Sequence, residues 1–153
     1  MIYNTPLDDK IVIFGMSCVG KTTFAKSLPN HYYYCFDALF NWHIIESLGL
    51  SIDENLKYIQ EHCDKGRWVL DGWHLADSSG RFLPVGAKVY VIYADYSTII
   101  SQYRIEVHNK LEHWPMFQKW YGIDYRQFDG VRFFENNGSF IETDYQAFCK
   151  IMS

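Results

Sequence analysis

Several absences narrow what this chain can be. Its 153 residues contain only four prolines, no Pro/Gly/Ser-rich linker and no repeat or low-complexity tract, so nothing marks a division into domains or an array. The cysteines are few and scattered. Cys18, Cys35, Cys63 and Cys149 form neither a C-x-x-C pair nor a zinc-like spacing, which argues against a sulfur-held metal and for the reduced thiols of a cytosol. No apolar run approaches the roughly 18 residues that a bilayer crossing needs. The opening "MIYNTPLDDK" also lacks the basic-then-apolar order of an export signal. A cytoplasmic protein without a membrane partner is expected. Positive charge is short as well: 14 Lys and Arg face 18 Asp and Glu, for a formal charge of -4. The protein as a whole therefore does not offer the basic surface that non-specific nucleic-acid binding uses, and only a local basic patch remains open.

What is present is material for one core. Hydrophobic residues make up 48% of the chain, and aromatics 18%, with 12 Tyr, 11 Phe and 5 Trp. A single domain spanning 1–153 is expected. The aromatics suit a tightly packed interior and would also suit a pocket that stacks on a ring.

Strand and helix signals alternate along the chain. "KIVIFG" (Lys10 to Gly15), "HYYYCFD" (His31 to Asp37), "RWVLDG" (Arg67 to Gly72), "KVYVIYAD" (Lys88 to Asp95) and "VRFFE" (Val131 to Glu135) read as strands, most of them nearly continuously apolar. Between them, Thr22 to Leu28 reads as a short helix stopped by Pro29. "ALFNWHIIESLG" is a helix ended by Gly49, and "SIDENLKYIQEHC" a helix with Ser51 and Glu54 in capping-box spacing. "STIISQYRIEVHNKLEHW" is a long helical stretch and "TDYQAFCKIM" a closing helix. Strands separated by helices imply an α/β fold with a parallel sheet covered on both faces.

The most specific motif is "GMSCVGKTT". Gly15, Gly20, Lys21 and Thr22 satisfy G-x-x-x-x-G-K-[ST], with Met16, Ser17, Cys18 and Val19 at the variable positions and Thr23 following. A strand precedes it and a helix follows, the context the motif requires. Glycines let the backbone curl so that its N–H groups turn toward phosphates at the start of the helix. Lys21 would reach the β and γ oxygens, and the Thr22 hydroxyl would hold Mg2+. A guanine-reading N-K-x-D segment is missing, because "NKLE" (Asn109 to Glu112) has Glu for Asp and falls in a helical stretch. Motor ATPases usually need a larger module. A compact kinase remains.

Two strand ends and one loop add to this. "YYYCFDALF" places Asp37 at the end of the second strand, and "RWVLDGWH" ends the third at Asp71, followed by Trp73 and His74. "FFENNGSFIE" follows the fifth strand with Asn136, Asn137, Gly138 and Ser139. On these segments the chain resembles the small P-loop kinases of the nucleoside and nucleotide kinase superfamily, and is also similar to antibiotic phosphotransferases and polynucleotide 5'-kinases. The resemblance implies a three-layer P-loop fold with a five-stranded parallel sheet ordered 2-3-1-4-5. It makes Asp37 the base that accepts the proton of the acceptor hydroxyl, a role that suits a carboxylate at the ligand end of a parallel sheet; capping of the next helix is the coexisting alternative. It makes Asp71 a holder of Mg2+ through water. Trp73 and His74 stand where a D-G-F-P segment would contact the acceptor, although the Pro-Arg that follows it in monophosphate kinases is missing.

In such kinases an N-N-G-S loop passes over the adenine, which favours ATP as donor and assigns Asn137 and Gly138 to it; Asn-Gly is equally a hairpin signal. A lid-like segment at about 104–128 supplies Arg104 as the candidate closing arginine, with Arg126, Lys110 and Lys119 nearby. The stripe Trp114, Phe117, Trp120 and Tyr121 has helical spacing, for packing on the sheet or for an aromatic acceptor.

The expected activity is transfer of the γ-phosphoryl group of ATP, with Mg2+, to a small-molecule acceptor, foremost a nucleoside or nucleotide, by a monomer or homodimer. Two alternatives stand beside it. One is a kinase for a polynucleotide end or a hydroxymethylated base in DNA, which the acidic balance disfavours. The other is a regulatory module that binds ATP without transferring it.

Overall fold

In the computed structural model, the described residues are 1–15, 19–35, 66–71, 86–95, 97–99 and 124–152. They form strands β1 (Lys10–Phe14), β2 (Tyr32–Cys35), β3 (Trp68–Asp71), β4 (Lys88–Tyr93), β5 (Arg132–Asn136) and β6 (Phe140–Thr143), with helices α1 (Lys21–Ser27) and α2 (Tyr145–Met152). A 3-10 turn covers Tyr125–Gln127. All six strands lie in one sheet ordered β2-β3-β1-β4-β5-β6.

The first five strands are parallel and follow the expected 2-3-1-4-5 order. The expectation of a purely parallel, five-stranded sheet is corrected by β6, which runs antiparallel to β5 with Asn136 opposite Phe140 and Phe133 opposite Thr143. The hairpin reading of "NNGS" is realised, with residues 137–139 making the turn. Thr143, expected in the closing helix, belongs to β6 instead. The helix starts after Asp144, whose carboxylate accepts from the Ala147 N–H at 2.8 Å and caps it.

Alternation along the strands sorts the side chains onto two faces. On one face Phe24 of α1 meets Phe134 and Phe140 with ring centroids 4.9 and 5.2 Å away, and Tyr90 at 6.4 Å. On the other, Phe148 of α2 meets Tyr93, Tyr125 and Phe133 at 5.3, 5.6 and 5.2 Å. Neighbours Phe133 and Phe134 thus serve opposite layers. The aromatic richness of these segments is core packing, with Phe24, Trp68, Tyr90, Tyr93, Tyr125, Phe134 and Phe148 all fully buried.

The N-terminal segment covers the free edge of β6. Ile2 donates to the Phe140 carbonyl at 2.8 Å and accepts from the Glu142 N–H at 2.9 Å, a short parallel bridge. Among the described residues, no helix is long and apolar enough to cross a membrane.

Candidate active site

The carboxyl ends of β1 and β3 bring the phosphate-loop motif and Asp71 together. β1 ends at Phe14, and the chain leaves the sheet at Gly15, pressed so closely on β4 that an added Cβ would lie 2.4 Å from the Ile92 carbonyl oxygen. Only glycine allows that approach. The loop returns at Val19, fully buried, and Gly20, which has φ +93° and precedes α1. A side chain on Gly20 would meet Asn136 Nδ2 at 3.0 Å and the Phe140 ring at 3.2 Å, so these neighbours would have to give, and the left-handed conformation itself favours glycine. Lys21 folds back across the loop, its Nζ donating to the Gly15 carbonyl at 2.7 Å.

Thr22, in the first turn of α1, donates its hydroxyl to Asp71 Oδ2 at 2.7 Å. Tyr33 of β2 donates to the same oxygen at 3.0 Å. Asp71 is 3% exposed, and its other oxygen, Oδ1, is buried with no hydrogen-bond partner among the described residues. A buried carboxylate oxygen left so is costly unless a further donor or cation meets it. The donor set consists of hard oxygens, which suits Mg2+, an ion usually held by one or two carboxylates together with substrate phosphates and water. Because the Thr22 hydroxyl spends its proton on Asp71, its lone pairs remain available to a cation. Among the described residues, no group of three or more His, Cys, Asp or Glu side chains could hold a metal by itself.

The β5–β6 hairpin reaches the same place from the other side. Asn136, 7% exposed, donates from Nδ2 to the Val19 carbonyl at 2.9 Å and accepts the Gly138 N–H on Oδ1 at 3.2 Å. The expected donor-side loop of Asn137 and Gly138 is thereby tied to the phosphate-loop motif.

No protein-family model matches the chain, and no curated protein matches it. Solved structures do. The chain is similar to a shikimate kinase from Aquifex aeolicus, with a TM-score of 0.53 at 17% identity over 94% of this chain and 90% of that one. It is also similar to a shikimate kinase from Bacteroides thetaiotaomicron, with a TM-score of 0.57 at 14% identity over 94% and 93%. The fold is that of the small P-loop kinases. The chain is likewise similar to an uncharacterized protein from Eubacterium ventriosum, with a TM-score of 0.54 at 15% identity over 84% of this chain and 89% of that one.

Within the P-loop kinase fold, Gly15, Val19, Gly20, Lys21, Thr22, Thr23, Asp71, Asn137 and Gly138 fall at one end of the sheet. Met16, Ser17, Cys18, Asp37, Trp73, His74 and Arg104 lie outside the described residues. So do Lys110, Lys119 and the stripe from Trp114 to Tyr121. Of the segment 104–128 only the last five residues are described: Tyr125 and Phe128 are buried, with Tyr125 5.1 Å from the Phe14 ring, whereas Asp124, Arg126 and Gln127 are exposed. Arg126 is held by Asp124 at 2.8 Å, with its guanidinium 4.6 Å from the Tyr145 ring. This pairing draws the Asp124 carboxyl below its usual range.

Two contributors were not assigned from sequence. Period two along "HYYYCFD" groups Tyr33 with Cys35, but nothing in a tyrosine triplet says which hydroxyl meets Asp71. The sequence places Asn136 only within the N-N-G-S loop and gives it no role of its own. Its burial and its reach to Val19 depend on β5 lying next to β4 and on a loop more than a hundred residues away in sequence.

Proposed function

We propose that the chain is an ATP- and Mg2+-dependent kinase that phosphorylates a hydroxyl of a small-molecule acceptor. The observation that carries this reading is the Thr22–Asp71 contact of 2.7 Å beside the phosphate-loop motif, with Asp71 Oδ1 buried and unmatched. It supports this reading because phosphoryl transfer depends on charge held at the donor phosphates.

In this reading, Lys21 exchanges the Gly15 carbonyl for the β and γ oxygens of ATP. The loop amides hold the same oxygens. Thr22 and Asp71 would hold Mg2+, which would supply neutralising charge at the donor phosphates. Asp37 accepts the proton of the acceptor hydroxyl as its oxygen forms the new bond to the γ phosphorus, and the bond from that phosphorus to the β–γ bridging oxygen breaks to release ADP. Arg104 closes over the transferring group, and Trp73 and His74 contact the acceptor. Asn137 and Gly138 border the adenine.

The acceptor class stays with hydroxylated small molecules, nucleosides and nucleotides among them. The shikimate kinases that share the fold add cyclic hydroxy acids to that class. The test is a screen for acceptor-dependent ADP formation across nucleosides, nucleotides, shikimate, sugars, aminoglycosides and phenicols, with single-stranded DNA as the polynucleotide arm. We expect turnover with one small-molecule class and none with the Lys21→Ala protein. Protection of the fold by ATP with no ADP formed from any acceptor would leave the regulatory reading standing instead.

A further inference from the structure

The phosphate-loop motif is oriented from outside itself. Val19 and Gly20 share a peptide group, and in a trans peptide the carbonyl and the following N–H point in opposite directions. Asn136 Nδ2 takes the Val19 carbonyl at 2.9 Å on the β5–β6 side of the loop. The Gly20 N–H is thereby turned away from the hairpin. Two features hold Asn136 itself in place: its backbone belongs to β5 opposite Phe140, and its Oδ1 accepts the Gly138 N–H at 3.2 Å. An amide side chain is the group that can do both, donating to a carbonyl with one end and accepting from an amide with the other. With Nδ2 3.0 Å from where a Gly20 Cβ would sit, any side chain at Gly20 would press on this contact.

From this geometry we infer that Asn136 is a positioning residue for phosphate binding: it fixes the 19–20 peptide so that the Gly20 N–H faces the donor phosphates. Released, the peptide can turn its carbonyl oxygen toward them, replacing an attraction by a repulsion at the same spot. The inference rests on the kinase reading of the loop and names a residue that touches no reacting atom. It also gives the β5–β6 hairpin a second duty, because any shift of the turn at 137–139 is passed to the loop through one side chain.

The experiment uses the full chain, with inorganic tripolyphosphate and ATP as probes. Binding is followed by calorimetry, and the Gly20 amide by nitrogen-15 NMR. In the wild-type protein, saturating tripolyphosphate is expected to displace the Gly20 amide resonance. In Asn136→Ala that displacement is lost, and affinity for tripolyphosphate falls about ten-fold or more, the scale of one buried hydrogen bond left unmade. Asn136→Asp, which keeps the acceptor for Gly138 but sets an oxygen against the Val19 carbonyl, is expected to show the same loss.

Variants that fold and bind tripolyphosphate as tightly as wild type overturn the inference and leave the kinase reading intact. A wild-type chain that binds neither probe overturns both. Should neither variant fold, the wild-type amide decides alone: a Gly20 resonance unmoved by bound tripolyphosphate rejects the role of Asn136.

Discussion

At the scale of single residues, Asp71 is where the structure says more than the motif. A strand-end aspartate is expected to be available to a metal, but here both hydroxyl contacts, from Thr22 and Tyr33, fall on Oδ2 and leave Oδ1 buried and unmatched. One carboxylate oxygen is thus anchored and the other reserved. Replacing Asp71 by Asn keeps an acceptor for the two hydroxyls and removes the charge. Phosphoryl transfer should then drop by about 100-fold or more while ATP binding without Mg2+ is unchanged or tighter, since a negative charge near the phosphates has gone. Titrations of ATP with and without Mg2+, alongside single-turnover rates, check this. Equal losses in both titrations would mean that Asp71 supports the loop rather than the metal. The specific motif was legible here from spacing alone, because glycine freedom, a lysine and a hydroxyl must follow one another in the chain. Tyr33 was not, because its partner comes from another strand.

At the scale of elements, the junction between β1 and the loop is set by backbone packing as much as by phosphate chemistry. Gly15 lies against the Ile92 carbonyl of β4 at a distance no Cβ can accept, so Gly15→Ala has to push the two strands apart or bend the loop. We expect a cost of about 2 kcal/mol in urea unfolding, typical of overpacking, together with weakened ATP binding. An unchanged unfolding midpoint would show that the loop and β4 separate freely. The five parallel strands were readable, four of them as apolar runs ending at turn or acidic residues and β2 as an aromatic one, while their order was implied only by the resemblance. β6 was hidden, because "FIET" is short, half-buried and followed at once by a capped helix, so its last residue, Thr143, read as the start of that helix. Pairing with β5 outweighs this local preference, and the Asn-Gly signal for a hairpin was the surer guide.

At the scale of the whole molecule, one cation gathers four parts of the chain. Arg132, with a side chain 10% exposed, bonds Glu142 at 2.7 and 3.0 Å, the Thr5 and Pro6 carbonyls at 3.0 and 2.8 Å, and the Tyr90 hydroxyl at 3.1 Å. Tyr90 in turn donates to Asp8 at 2.6 Å, and burial pushes its phenol above the ordinary range, so it stays a neutral donor. This network fastens the N-terminal segment over β4, β5 and the edge of β6. Arg132→Met leaves Glu142 without its cation and should cost about 3 kcal/mol or more in urea unfolding. The double variant Arg132→Met with Glu142→Leu should recover part of that loss, because the buried Glu142 carboxylate goes with its cation and only the more exposed Asp8, 3.7 Å from Arg132, loses a partner. Strictly additive losses would contradict the idea that the pair acts as a unit.

By itself the sequence determined the phosphate-loop motif, the α/β alternation and the parallel strands, for a common physical reason: each is written in neighbouring residues, as glycine spacing, apolar runs and turn signals. The tertiary structure decided what joins distant residues. It put Thr22 against Asp71 and Tyr33, turned "NNGS" into a hairpin with an antiparallel partner, and seated Asn136 behind Val19. Those contacts exist only once the sheet has ordered its strands, because a hydrogen bond between residues 19 and 136 leaves no mark on the chain around either of them.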